Sequence, residues 1–183
     1  MNQQRNEDTA VNQTITCPHC RVPNVVKEAQ RSASGDVACK YCGGRFPLDA
    51  PAAGPPTTVL CIDDDPLVLH FYRGLLEPRG YRTLTAADGL VGVEIAKRDR
   101  PDVILLDVML RGLSGFDICR KFRDEPALRQ TPIILLTVWD HPSVALTGRE
   151  AGATVTLRKP ADAEAVVTTI AQVLVQQSRP PRL

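Results

Sequence analysis

No apolar stretch in this chain approaches the roughly 20 residues that a membrane-spanning helix needs. The first residues, MNQQRNEDTAVNQT, also lack the apolar core of a secretory leader. Membrane insertion and export are therefore not expected, and the cytoplasm is the expected compartment. An excess of either charge is missing too: 22 Lys and Arg stand against 21 Asp and Glu, a formal net charge of +1. That balance gives no sign of a wholesale nucleic-acid binder. There is no glycine-rich phosphate-cradling loop, so nucleotide binding is not indicated. Trp139 is the single tryptophan, so its fluorescence reports on one place only.

The hydrophobic share, 43% of 183 residues, suits one globular domain plus a small module rather than a disordered chain. Composition divides the chain into zones. Residues 1–14 read as a polar, disordered tail. Residues 15–48 carry four of the six cysteines in two tight pairs. Residues 49–56 continue a Pro-, Ala- and Gly-rich run that reads as a semi-rigid linker. Residues 57–177 alternate strand and helix patterns, and 178–183 form a second tail.

The alternation is regular. Short apolar runs at Thr58–Ile62, Tyr81–Thr85, Val103–Leu106, Ile133–Leu136 and Thr154–Leu157 predict strands. Helices are predicted after each: one from Pro66 with Leu67, Phe71, Leu75 and Leu76 at helical spacing, then Leu90–Ala96, Ser114–Arg123, Ser143–Ala151 and Asp162–Gln176. Asp65 and Pro66 supply a start signal for the first, and Gly80 a stop. In the last, Val166, Val167, Ile170, Val173 and Leu174 share a face. Five strand–helix units imply an α/β fold with a five-stranded parallel sheet, doubly wound by helices. Function in such sheets sits at the carboxyl ends of the strands.

Those ends carry Asp63-Asp64, Asp107, Thr137 and Lys159-Pro160. Clustered carboxylates resist ionisation unless a cation sits among them. A hard divalent ion such as Mg²⁺ fits the set, one carboxylate is placed to attack a phosphoryl group, and the lysine and hydroxyl would meet its oxygens. The bland alternative, strand-ending aspartates acting as turn or cap residues, suits Asp65 but not the whole set. Cys61 and Cys119 read as small packing residues, and His70 as a surface or packing residue of the first helix.

Five motifs in order, Val59-Leu-Cys-Ile-Asp-Asp-Asp-Pro66, Asp102-Val-Ile-Leu-Leu-Asp-Val-Met-Leu110, Ser114-Gly-Phe116, Pro132-Ile-Ile-Leu-Leu-Thr137 and Leu157-Arg-Lys-Pro160, resemble the receiver domain of two-component response regulators. The resemblance implies the flavodoxin-like receiver fold, with Asp107 accepting a phosphoryl group from a sensor histidine kinase or phosphotransfer protein. It implies Mg²⁺ on Asp64, Asp107 and the backbone carbonyl of Met109, with Asp63 acting on it through water. It also implies Lys159 pairing with phosphoryl oxygens, Thr137 moving to bond one of them, and a cis Lys159–Pro160 peptide. On this basis the protein is expected to be no enzyme beyond its own phosphotransfer. It is expected to carry no attached DNA-binding output domain and to signal through an unknown downstream protein. Three positions depart from the family pattern. Val138 stands where a small residue is common, Arg111 where Pro is, and Thr156 where an aromatic switch residue often is.

Cys17-Pro-His-Cys20 and Cys39-Lys-Tyr-Cys42 give C-x2-C twice, at a spacing typical of zinc sites. So small a module cannot bury enough core to fold unaided, and a structural Zn²⁺ would supply what is missing. With Gly43, Gly44 and Phe46 after the second pair, it resembles a bacterial zinc ribbon. His19 is expected to be exposed rather than a fifth ligand. Redox use of the pairs is the lesser reading. Arg21, Lys27, Arg31, Lys40 and Arg45 outnumber Glu28 and Asp36. The mildly basic surface that results allows nucleic acid or an acidic protein patch, but stacking aromatics are few and protein interaction is favoured.

Overall fold

The computed structural model describes residues 13–26, 35–47, 55–159 and 162–178. Both expected tails, most of the expected linker, Lys27, Arg31 and the Lys159–Pro160 peptide lie wholly or partly outside them. Among the described residues, no helix is long and apolar enough to cross a membrane.

The cysteine module is two antiparallel hairpins. β1 (Gln13–Thr16) pairs with β2 (Pro23–Val26), and β3 (Asp36–Ala38) with β4 (Arg45–Pro47). The larger unit follows as β5 (Thr58–Ile62), α1 (Pro66–Leu76), a 3₁₀ turn (Glu77–Arg79), β6 (Arg82–Ala86), α2 (Gly89–Asp99) and β7 (Val103–Asp107). α3 (Gly115–Asp124), β8 (Ile133–Thr137), α4 (Pro142–Glu150), β9 (Val155–Arg158) and α5 (Ala163–Ser178) complete it. The sheet is parallel, as the alternation predicts, and its strands lie in the order β6-β5-β7-β8-β9.

Local chemistry starts the helices where the site needs loops to end. Asp65 caps α1 by accepting from Leu67 N–H, Asp88 caps α2, and Ser114 caps α3 by accepting from Asp117 N–H. β5, β7 and β8 are buried along their whole length because helices cover both faces. Leu60, Ile62, Ile104 and Leu106 pack with α2 and α3, while Val59, Cys61, Leu105 and Ile134 pack with α1 and α5. The expected α5 stripe is buried throughout. The α1 stripe differs from expectation: Leu67 and Phe71 are exposed, and the buried line is Leu69, Tyr72, Leu75 and Leu76. Two overlapping apolar rows run along this helix, and spacing alone does not say which one faces the sheet.

The hairpins are not a separate bead. Ile15, Val22, Val26, Val37 and Phe46 belong to the same hydrophobic cluster as α1, α5 and Tyr81. Polar clips reinforce the seam. The Thr57 hydroxyl donates to Arg21 O at 2.6 Å, Arg21 reaches Asp102 at 3.4 Å, and Lys40 reaches Glu164 of α5 at 3.5 Å. Each basic clip residue directly follows a cysteine, Cys20 or Cys39. In sequence these residues read as part of a generic basic surface; the fold turns them onto acids of the larger unit.

Gly115 opens α3 against the end of β7. A Cβ there would stand 2.2 Å from the carbonyl oxygen of Asp107 and 2.7 Å from Val108 Cα. Backbone on backbone cannot yield as a side chain does, so Gly115→Ala should destabilise by about 2 kcal/mol or more in urea unfolding. A variant as stable as the parent would show that this approach is not tight.

Candidate functional site

Three strand ends and their loops build the acidic cluster. Asp63 follows β5, Asp107 ends β7, and Lys159 follows β9. Each carboxylate of Asp63, Asp64 and Asp107 offers an oxygen within 4.8 Å of the others, close enough to share one cation. Asp63 and Asp107 are buried, at 2% and 5% exposure, whereas the Asp64 side chain is 23% exposed. Bare carboxylates would not hold this arrangement. Lys159 Nζ donates to Asp63 Oδ2 at 2.7 Å and to Asp107 Oδ1 at 2.8 Å, bridging the two deep groups. Arg111 Nε lies 3.0 Å from Asp64 Oδ2. The Asp65 N–H adds a bond to Asp63 Oδ1.

Electrostatics follow from that geometry. Burial raises the Asp107 pKa above the ordinary carboxylate value, against the pull of Lys159, with Asp63 adding repulsion. Burial works against the Lys159 charge, but its bonds to Asp107 and Asp63 outweigh this and leave its pKa raised.

Thr137 ends β8 with its side chain 2% exposed, and its hydroxyl accepts from the Trp139 N–H at 3.1 Å. Its carbonyl accepts from Lys159 N–H at 2.6 Å, tying the hydroxyl-bearing and lysine-bearing strands together at the cluster. Val138 is 53% exposed. Thr156, at the position of the expected aromatic, lines a cleft of about 250 Å³ together with Thr137, Trp139, Ala145 and Arg158. A larger groove of about 410 Å³ between α2 and α3 lies away from the cluster. Cys61 and Cys119 are wholly buried, and His70 is exposed on α1.

The four cysteines meet at the junction of the hairpins. Cys17 Sγ is 3.7 Å from Cys42 Sγ, and Cys20 Sγ is 3.7 Å from Cys39 Sγ, with all four within 4.8 Å. A tetrahedron with metal–sulfur bonds of about 2.3 Å has edges of about 3.8 Å, so the set could hold a metal ion. The two knuckles are built alike. Cys17 N–H donates to Val22 O and Cys39 N–H to Gly44 O, while Arg21 N–H returns to Cys17 O and Gly43 N–H to Cys39 O. Arg21 and Gly43 occupy equivalent positions, both at positive φ (58° and 73°). The contact with Cys20 lowers the Cys39 pKa, burial opposes this, and the Tyr41 N–H donates to the Cys39 sulfur in support. His19 is exposed and bonds Arg45 O, outside the sulfur cluster.

The raised Asp107 pKa has a consequence for stability. The folded state holds the Asp107 proton more tightly than the unfolded chain. Ionisation therefore costs stability as the pH rises through the folded pKa, and nothing is lost below the unfolded one. Asp107→Asn should melt a few degrees higher than the parent at neutral pH without added Mg²⁺. The gain should vanish as the pH falls to the ordinary carboxylate range. Equal melting points across that range would refute the burden assigned to this carboxylate.

The chain is similar to known proteins in sequence and in fold. The chain is 34% identical over 116 residues to Protein PilH of Pseudomonas aeruginosa, a match covering 63% of this chain and 96% of that protein. It is 39% identical over 104 residues to Response regulator PleD of Caulobacter vibrioides, covering 57% of this chain but only 23% of PleD. Among solved structures, the chemotaxis protein CheY4 of Vibrio cholerae superposes with a TM-score of 0.63 at 32% identity, covering 64% of this chain and 98% of that one. A response regulator from Chloroflexus aurantiacus gives 0.62 at 32%, covering 65% and 98%. Residues 59–171 match the response regulator receiver domain family. With the parallel sheet, the acidic cluster and its lysine in place, the chain belongs to that family and carries the receiver domain of a two-component response regulator.

Proposed function

We propose that this protein accepts a phosphoryl group on Asp107 and uses it to control protein–protein contact. The Lys159 bridge carries the reading. A lysine held by two buried carboxylates is a cation already in place for charge that arrives when one of them is phosphorylated. The Asp107 carboxylate would attack the phosphorus of a phosphohistidine on a sensor kinase or phosphotransfer protein. The P–N bond breaks, the imidazole takes up a proton, and Asp107 becomes an acyl phosphate. Asp63, Asp64, Asp107 and the Met109 carbonyl would hold Mg²⁺, which when bound supplies positive charge against the phosphoryl oxygens. Lys159 would turn to one of those oxygens and the Thr137 hydroxyl to another.

Thr137 now accepts from the Trp139 N–H. Moving its hydroxyl toward a phosphoryl group breaks that bond and frees the loop that follows β8. With threonine at 156, the signal would leave through this loop and the half-exposed Trp139 rather than through a buried aromatic.

In the ribbon, Cys17, Cys20, Cys39 and Cys42 would hold a structural Zn²⁺. Its output is read as protein contact, not nucleic acid, because Arg21 and Lys40 are engaged by Asp102 and Glu164. A second reading, an adaptor in which the ribbon does the binding and the receiver is only a docking scaffold, is favoured by Thr156 and Val138.

Intact-mass spectrometry after incubation with acetyl phosphate and Mg²⁺ should show a single phosphate adduct on the parent and none on Asp107→Asn. Lys159→Ala should slow its formation about a hundred-fold. No adduct on a folded, zinc-loaded protein would leave the adaptor reading standing. Because hairpins and sheet share one core, stripping zinc with a chelator should lower the melting temperature of the receiver as well as the ribbon. A receiver transition unmoved by the chelator would mean that the two fold independently.

A further inference from the structure

The cations around the acidic cluster divide their work. Lys159 takes the two deep carboxylates, whose side chains are 3% and 7% exposed. That leaves Asp64 as the carboxylate nearest solvent, at 23%, and Arg111 meets it there through Nε at 3.0 Å. Arg111 is 90% exposed and stands in the loop between β7 and α3, two residues after Met109 and just before Gly112, whose φ is 86°. Its chain is thus tethered at the mouth of the cluster but otherwise unrestrained by packing.

We infer that Arg111 is an affinity-setting residue: a mobile counter-ion that competes with the divalent cation for Asp64 and weakens metal uptake by this receiver. The inference rests on the Mg²⁺ reading given above.

Two physical effects have the same sign. Asp64 cannot give the same oxygen to a guanidinium and to a metal ion, so binding the ion requires breaking the pair. A full positive charge held a few ångströms from the cluster also repels an incoming dication. Neither effect is large, because exposed ion pairs contribute about 1 kcal/mol or less. Both weaken as salt screens them. The receiver would therefore respond to Mg²⁺ over a higher and more salt-dependent range than the same site lacking this arginine. Phosphorylation, which needs the charge the metal supplies, would inherit that dependence.

The test is a titration of the full-length, zinc-loaded protein with MgCl₂, followed by calorimetry and by Trp139 fluorescence. At low ionic strength Arg111→Ala should bind Mg²⁺ about three-fold more tightly than the parent. Arg111→Lys, which keeps the charge, should stay close to the parent. The gap between parent and Arg111→Ala should close as NaCl is raised. Uptake by Arg111→Ala alone would be the same effect at its extreme. Equal dissociation constants for parent and Arg111→Ala would overturn the inference while leaving the metal reading intact. Absence of Mg²⁺ uptake by both would overturn the two together.

Discussion

Everything at the working end of this molecule depends on one ammonium group. Asp63 and Asp107 are buried side by side, and Lys159 between them supplies the positive charge that two neighbouring carboxylates need. The bridge also sets geometry. It links the end of β9 to the ends of β5 and β7, adding an ion pair to the backbone ladder and packing that already hold β9 on β8. Buried ion pairs gain little net stability, and the raised Asp107 pKa shows that this one still leaves a burden. The arrangement is charge held by the fold in an unfavourable, buried place, with one lysine as its counterweight.

Much of this was legible in the sequence, for identifiable reasons. Buried parallel strands are continuous apolar runs, and each of β5, β7 and β8 ends at a polar residue that has nowhere to go but the carboxyl edge. Asp63, Asp107 and Thr137 could therefore be placed together before any coordinates. Paired C-x2-C knuckles are equally local, and the four sulfurs meet as the spacing implies. What stayed hidden was non-local. The choice between the Leu67–Phe71 row and the Leu69–Tyr72–Leu76 row of α1 is made by the sheet it lies on, not by the helix. The partners of Arg21, Lys40 and Arg111 are 81, 124 and 47 positions away in the chain, and no periodicity encodes them.

The hairpin module changes what kind of protein this is. A ribbon on a loose tether would add a second function and leave the receiver as it was. Here Phe46, Val22 and Val37 share a hydrophobic cluster with Tyr81 and α5. The knuckles are also clipped to acids at the start of β7 and the first turn of α5. Glu164 lies five positions beyond Lys159, so the helix that one knuckle grips begins just past the residue that bridges the cluster.

That docking also decides which surfaces remain open. The face formed by α1 and α5 is partly roofed by the chain's own hairpins, so another molecule seeking that side must contend with an incumbent. On the opposite flank, Val138, Trp139 and Leu146 stay exposed on and beyond the loop that follows β8. By occupying one side itself, the chain narrows, through steric exclusion alone, the directions from which any other molecule could reach the sheet and its helices.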